Sequence, residues 1–139
     1  MDLSQYAGVP FLERGRSRAG VDCWGLVWLI YQEQFGVIIP SYEGRYADTR
    51  GAEIPGVIAA GAAAGCWRLL GDDEPSVLGD VIAFRIRGEP RHVGLALDNI
   101  QMLHVEWGTN VVRERFRSSV WNHRIVGRHR HREIERHAR

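Results

Sequence analysis

Three side chains in this sequence are of the types that carry out acyl-transfer chemistry: Cys23, His92 and His104. Cys23 follows Asp22 where a Gly-containing loop gives way to an apolar run of Trp24, Leu26, Val27, Trp28, Leu29, Ile30, Tyr31 and Phe35. Asp22 is a good N-cap, because its carboxylate can accept from the orphan amides of a first helical turn. Cys23 then stands at or beside the first helical position, where free N–H groups and the helix dipole favour thiolate over thiol. A thiolate nucleophile needs a base within hydrogen-bond reach, and the base needs an orienting group. Of the six histidines, His92 opens a strand directly after a turn and His104 lies on the next strand. The two can therefore be neighbours across a hairpin. Whether they share a face depends on how many residues the turn absorbs, which the spacing leaves open. A buried structural cysteine and two partnered structural histidines are the alternative reading of the same residues.

The elements that must position these groups follow from periodicity. A helix over residues 23–35 ends at Gly36, a natural C′ residue, with Pro40 just beyond. It is apolar nearly all round, which places it centrally. Trp24 and Trp28, one turn apart, read as core packing rather than a ligand platform. Residues 1–22 read as a short segment and a loop, and 36–40 as a short buried extended piece. Residues 41–55 form a polar connection carrying Tyr42 and Tyr46, and the Ala-rich stretch 56–67 is predicted helical. From residue 79 the period changes to that of strands, predicted at 79–86, 92–98, 102–107, 111–116 and 124–128. Helices followed by an antiparallel meander give an α+β pattern.

The chain has 139 residues, the size of one domain over 1–139. Apolar content of 45% and charged content of 25% are ordinary for a globular protein. No stretch has the apolar length to span a bilayer, and the N-terminus shows no secretion signal pattern. Cys23 and Cys66 could form one disulfide, though nothing requires it, and they make no metal set. No cofactor motif is present. Charge is lopsided: residues 113–139 carry nine Arg and three Glu, while the first 112 carry nine Arg against fourteen acids. The basic end, about 128–139, contains His129, His131 and His137 and reads as a solvated tail or docking segment rather than a zinc or nucleic-acid site.

Four pieces of the sequence together resemble one family. Gly8-Val9-Pro10-Phe11 followed by Gly15 and Gly20, then Asp22-Cys23-Trp24-Gly25-Leu26-Val27, resemble the loop and nucleophile motif of the NlpC/P60 cell-wall cysteine peptidases. Gly79-Asp80-Val81-Ile82-Ala83-Phe84 with His92-Val93-Gly94-Leu95 resembles the family's base motif, and Met102-Leu103-His104 the segment carrying its third polar residue. The resemblance implies a minimal papain-like fold, with the nucleophile helix packed on an antiparallel sheet. It implies Cys23 as nucleophile, His92 as general base and acid, and His104 as the group orienting the imidazole. The expected substrate is the peptidoglycan stem peptide, cut at a γ-D-glutamyl–diamino acid bond.

Trp24 after the cysteine, the short chain and Ile39-Pro40-Ser41-Tyr42 look most like the phage and prophage tail branch, to which gene transfer agent proteins are similar. That branch implies a protein made in the cytoplasm, carried with tail-tip partners and acting on the bacterial wall. A structural tail-tip or baseplate component with an unused peptidase site is the rival expectation. Two positions depart from the pattern. Phe11 stands where many relatives have a Tyr whose hydroxyl assists the oxyanion, leaving backbone groups such as the Cys23 N–H for that role. Arg14-Gly15 replaces the usual Gly-Gly pair. Asp22 is read as capping the helix in preference to holding the substrate amine, and Cys66 as a buried residue outside the motifs.

Overall fold

The structure, a computed structural model, describes residues 1–137. Two short strands, β1 (Arg16–Ser17) and β2 (Gly20–Val21), form a small hairpin that leads into helix α1 (Cys23–Ile30). α1 continues as one π-helical turn, Tyr31–Phe35, and stops at Gly36 with φ of +66°. The left-handed backbone there is one that glycine adopts without a Cβ clash. Leu26, Val27, Leu29, Ile30 and Tyr31 are all buried, which agrees with the central position that an all-round apolar helix requires.

Six strands form one antiparallel sheet in the order β3-β8-β4-β5-β6-β7. They are β3 (Trp67–Leu69), β4 (Val81–Ile86), β5 (Glu89–Ala96), β6 (Gln101–His104), β7 (Val112–Arg115) and β8 (Ile125–His131). β4 to β7 make the meander that the period-2 pattern predicts. The β4–β5 turn has Arg87 and Gly88 both at positive φ, 53° and 81°, the geometry of a type I′ hairpin. β5 thus begins at Glu89, earlier than expected, and a register shift between Phe84 and Arg85 accommodates Pro90.

Strand alternation divides the sheet's two faces between two cores. Val81, Ala83, Val93, Leu95 and Leu103 pack with α1. Ile82, Phe84, Ala96 and Met102 pack with Phe116 and Trp121. Registry pairs Phe84 with His92, and the His104 side chain meets the His92 ring, so both histidines belong with this second set.

Three expectations are corrected. The second helix, α2, spans Ile54–Ala62 rather than 56–67, because Pro55 is well placed in a first helical turn while Trp67 is drawn into the sheet opposite His131. Residues 36–40 do not form a buried extended piece: Ile39 is buried, but Ile38 is 79% exposed and no ladder forms.

The basic end is not a solvated tail. Residues 128–131 belong to β8, between β3 and β4, and residues 132–137 form the short helix α3 (Arg132–His137). Arg128, Arg130 and His131 are buried. Arg130 makes a two-pronged contact with Asp80, Nε to Oδ1 at 2.8 Å and Nη2 to Oδ2 at 2.9 Å. Arg128 donates to Ser76 Oγ and to the carbonyls of Glu74 and Gly71. Charge alone suggested solvation, but guanidinium forks matched to a carboxylate and to carbonyls can be buried. The final two residues of the expected tail, 138–139, lie outside the described residues.

Arg130→Ala leaves the Asp80 carboxylate, which is wholly buried, without its cation. The expected loss is about 3–5 kcal/mol in a urea unfolding experiment, as for other broken buried ion pairs. A loss below about 1 kcal/mol, typical of an exposed pair, would contradict this account.

Candidate active site

Everything at the site starts from the end of α1. Asp22 is the N-cap and is fully buried. Its Oδ1 accepts from Gly25 N–H and from Arg16 Nη1, each at 2.8 Å, while Oδ2 accepts from Arg14 N–H at 2.9 Å and from the Tyr46 hydroxyl. Four donors occupy the four positions a carboxylate offers. Asp22 therefore has no free position for a substrate amine; it serves the scaffold, and its placement among substrate-binding groups is corrected. Arg16 extends the network to Ser41 and to the Tyr46 hydroxyl. Gly25 is required by close approach: a Cβ there would stand 2.0 Å from the Gly15 carbonyl. Arg14, the departure from the Gly-Gly pair, takes φ of 58°, the left-handed backbone that glycine adopts most easily.

The N–H groups of Gly25 and Leu26 are engaged by Asp22, through its side chain and its carbonyl. The Cys23 N–H makes no hydrogen bond among the described residues and is thus available to an oxyanion. Cys23 packs against the core that α1 shares with the sheet. Burial, with the Asp22 carboxylate next in importance, pushes the thiol up to about 12. The helix terminus was expected to favour thiolate. In the folded chain desolvation outweighs it, and the resting group is the thiol.

His92 is the residue before Val93 on β5. Its Nε2 lies 2.8 Å from Nδ1 of His104, so the two imidazoles do share a face. Burial, reinforced by the adjacent His104, holds His92 down at about 3, so its resting form is neutral. His92 Nδ1 has no hydrogen-bond partner among the described residues. His92 and Cys23 line the same cleft, of about 500 Å³, together with Phe11, Arg50, Arg87 and Arg91. No hydrogen bond joins the sulfur to the imidazole in this structure. Phe11 brings no hydroxyl to the cleft; its backbone bridges Val21 and donates to the Thr109 carbonyl.

Trp24 is half-buried, donates from Nε1 to the Pro40 carbonyl at 2.7 Å, and meets Tyr42 and Trp67. With them and Cys23 it lines a largely apolar recess of about 70 Å³. It therefore packs, as its spacing indicated, and also walls a cavity. Cys66 and Cys23 are both free thiols.

Two residues at the site escaped sequence reasoning. Trp121 stacks on His92, with ring centroids 5.4 Å apart, and meets His104 edge-on, shielding the pair from one side. Glu114 on β7 places Oε1 2.6 Å from His104 Nε2. The only hint of Glu114 was its place in a short charged strand; its proximity to His104 appears only once β6 and β7 are in register.

A cysteine at the start of a helix packed on an antiparallel sheet, with two bonded histidines on adjacent strands, is the arrangement of a papain-like fold. The chain belongs to the NlpC/P60 family, whose sequence profile matches residues 8–130. It is 27% identical over 127 residues to the murein DD-endopeptidase MepS/murein LD-carboxypeptidase of Escherichia coli. That alignment covers 88% of this chain but 57% of the relative's length. Among solved structures, the NlpC/P60 domain of the peptidoglycan hydrolase SagA superposes with a TM-score of 0.59 at 20% identity, covering 89% of this chain and 88% of that one. The P60 domain of an M. avium subspecies paratuberculosis antigen gives a TM-score of 0.60 at 23% identity, covering 92% and 87%. At these identities the superpositions establish the fold.

Two measurements test the electrostatics. In a Cys66→Ser background, alkylation of Cys23 by iodoacetamide should be slow at pH 7 and still rising at pH 10; a plateau below pH 7 would show a resting thiolate. His92 is depressed from its ordinary 6.5 to about 3, so the unfolded chain takes up its proton first as pH falls. The stabilisation from a neutral His92 is present above pH 6.5 and is lost as pH drops towards 3. Thermal midpoints between pH 7 and pH 4 should fall less steeply for His92→Gln than for wild type; equal slopes would contradict the assignment.

Proposed function

We propose that this chain is a peptidoglycan endopeptidase that hydrolyses stem peptides at a γ-D-glutamyl–diamino acid bond, with Cys23 as nucleophile and His92 as base. The observation that carries the reading is the cleft that Cys23 and His92 both line, with the far nitrogen of His92 held by His104. The names of the relatives, a murein endopeptidase and a peptidoglycan hydrolase, support the substrate class. Arg50 and Arg87 line the cleft as cations suited to stem-peptide carboxylates, alongside Glu106 and an Arg91–Glu89 ion pair.

The reaction follows from the resting protonation states. As the sulfur attacks the scissile carbonyl carbon, His92 Nδ1 takes the thiol proton, and the oxyanion accepts from the Cys23 N–H. Collapse breaks the C–N bond while His92 passes its proton to the departing amine. Water then attacks the thioester, His92 accepts its proton, and the proton returns to sulfur as the carboxylic acid leaves. Because thiol and imidazole are both neutral at rest, charge separates only when the substrate's carbonyl is there to use it.

Delivery on a phage-like tail is part of the proposal, supported by the likeness of Asp22-Cys23-Trp24 and Ile39-Pro40-Ser41-Tyr42 to that branch. Co-sedimentation with assembled tails from the source cells tests it; absence from purified tails would refute it.

Digestion of purified peptidoglycan and defined muropeptides, followed by mass spectrometry, tests the chemistry. Wild type should release a new amine terminus at one stem-peptide bond, and Cys23→Ser should lose activity by roughly 10³-fold or more. No cleavage by folded wild type with a titratable thiol would instead favour a structural tail-tip component.

A further inference from the structure

We propose that Glu114 is a positioning residue that sets the tautomer of both imidazoles, so that His92 presents an unprotonated Nδ1 to Cys23. The inference rests on the peptidase reading above for its catalytic consequence, but not for its structural one.

The contacts form a single line: His92 Nε2 to His104 Nδ1 at 2.8 Å, and His104 Nε2 to Glu114 Oε1 at 2.6 Å. A neutral imidazole has one N–H donor and one bare nitrogen acceptor. An ionised carboxylate only accepts, so His104 must carry its proton on Nε2 to meet Glu114. Its Nδ1 is then bare and can only accept. His92 must in turn donate from Nε2, which leaves Nδ1 bare. That nitrogen is the one with no partner among the described residues, on a residue that lines the cleft with Cys23. Every hydrogen bond in the line points towards Glu114.

Without the carboxylate, the line can run in reverse. His104 can hold its proton on Nδ1 and donate to His92 Nε2, forcing the His92 proton onto Nδ1. In that state His92 presents a donor to the cleft it shares with Cys23 and cannot take the thiol proton. His104 is 1% exposed and cannot recruit bulk water freely as a substitute acceptor. Trp121, stacked on His92 and edge-on to His104, closes another approach. When His92 becomes imidazolium during attack, the same line places a carboxylate two hydrogen bonds away, and the nearest cations in sequence, Arg113 and Arg115, are on the opposite face of β7 by alternation.

Glu114 is a candidate that can be replaced without emptying a core, since its side chain is 40% exposed. Long-range ¹H–¹⁵N correlation spectra of the histidine side chains should show wild-type His92 and His104 both as Nε2–H tautomers. Glu114→Ala should give mixed tautomers, and Glu114→Asp should restore the wild-type pattern in part. In steady-state assays on a soluble muropeptide, kcat should fall roughly tenfold to a hundredfold in Glu114→Ala with KM nearly unchanged. That loss is smaller than the roughly 10⁴-fold seen where the residue holding a catalytic histidine directly is neutralised. Retention of the Nε2–H tautomer of His92 in Glu114→Ala would overturn the proposal whatever the substrate proves to be. So would a kcat within twofold of wild type when Cys23→Ser is inactive. If wild type cleaves no muropeptide, the peptidase reading fails alone, and the spectra still decide the tautomer.

Discussion

One buried carboxylate holds the site together. Asp22 satisfies the first turn of α1, the Arg14 amide, the Arg16 guanidinium and the Tyr46 hydroxyl at once. Each of those donors belongs to a different piece of chain: the helix, the loop before it, the β1 strand and the long connection after it. Their common acceptor is what brings the start of α1 against the loop so closely that residue 25 must be glycine. The position of the Cys23 sulfur and of its free N–H follows from that anchoring. A buried charge of this kind is tolerable because every lone pair is occupied and a cation is among the partners.

A second constraint acts across the sheet. Burial pushes the thiol up and His92 down, so both members of the expected catalytic pair rest uncharged. The helix dipole stabilises a thiolate at an exposed terminus, but burial of the Cys23 thiol beside the Asp22 carboxylate works the other way. This arrangement suits a base that must be unprotonated before substrate arrives. It also makes hydrogen-bond direction decisive, because a neutral imidazole can face the sulfur as either donor or acceptor.

The basic C-terminal region illustrates how composition misleads. Its arginines are read correctly as charged, yet Arg128 and Arg130 are interior parts of the sheet's construction, spanning from β8 to the 71–80 segment. The strand expected at 124–128 continues to His131, and the Trp67–Leu69 strand beside it was hidden because three residues carry too little periodicity to register. Both errors share a cause: the partners lie 50 or more residues apart in sequence.

By itself, the sequence determined the helix with its cap and its glycine stop and the antiparallel meander, and it singled out Cys23, His92 and His104 as candidates. Those features are local, written in periodicity, capping chemistry and short motifs. Tertiary structure decided the rest. It set the hairpin register that puts His104 beside His92, and the β6–β7 register that puts Glu114 behind His104. It also placed Trp121 over the relay and left Cys23 half-buried between the core and the cleft. Register, burial and the occupancy of a carboxylate's lone pairs are properties of groups brought together from distant positions. No local pattern in the chain encodes them.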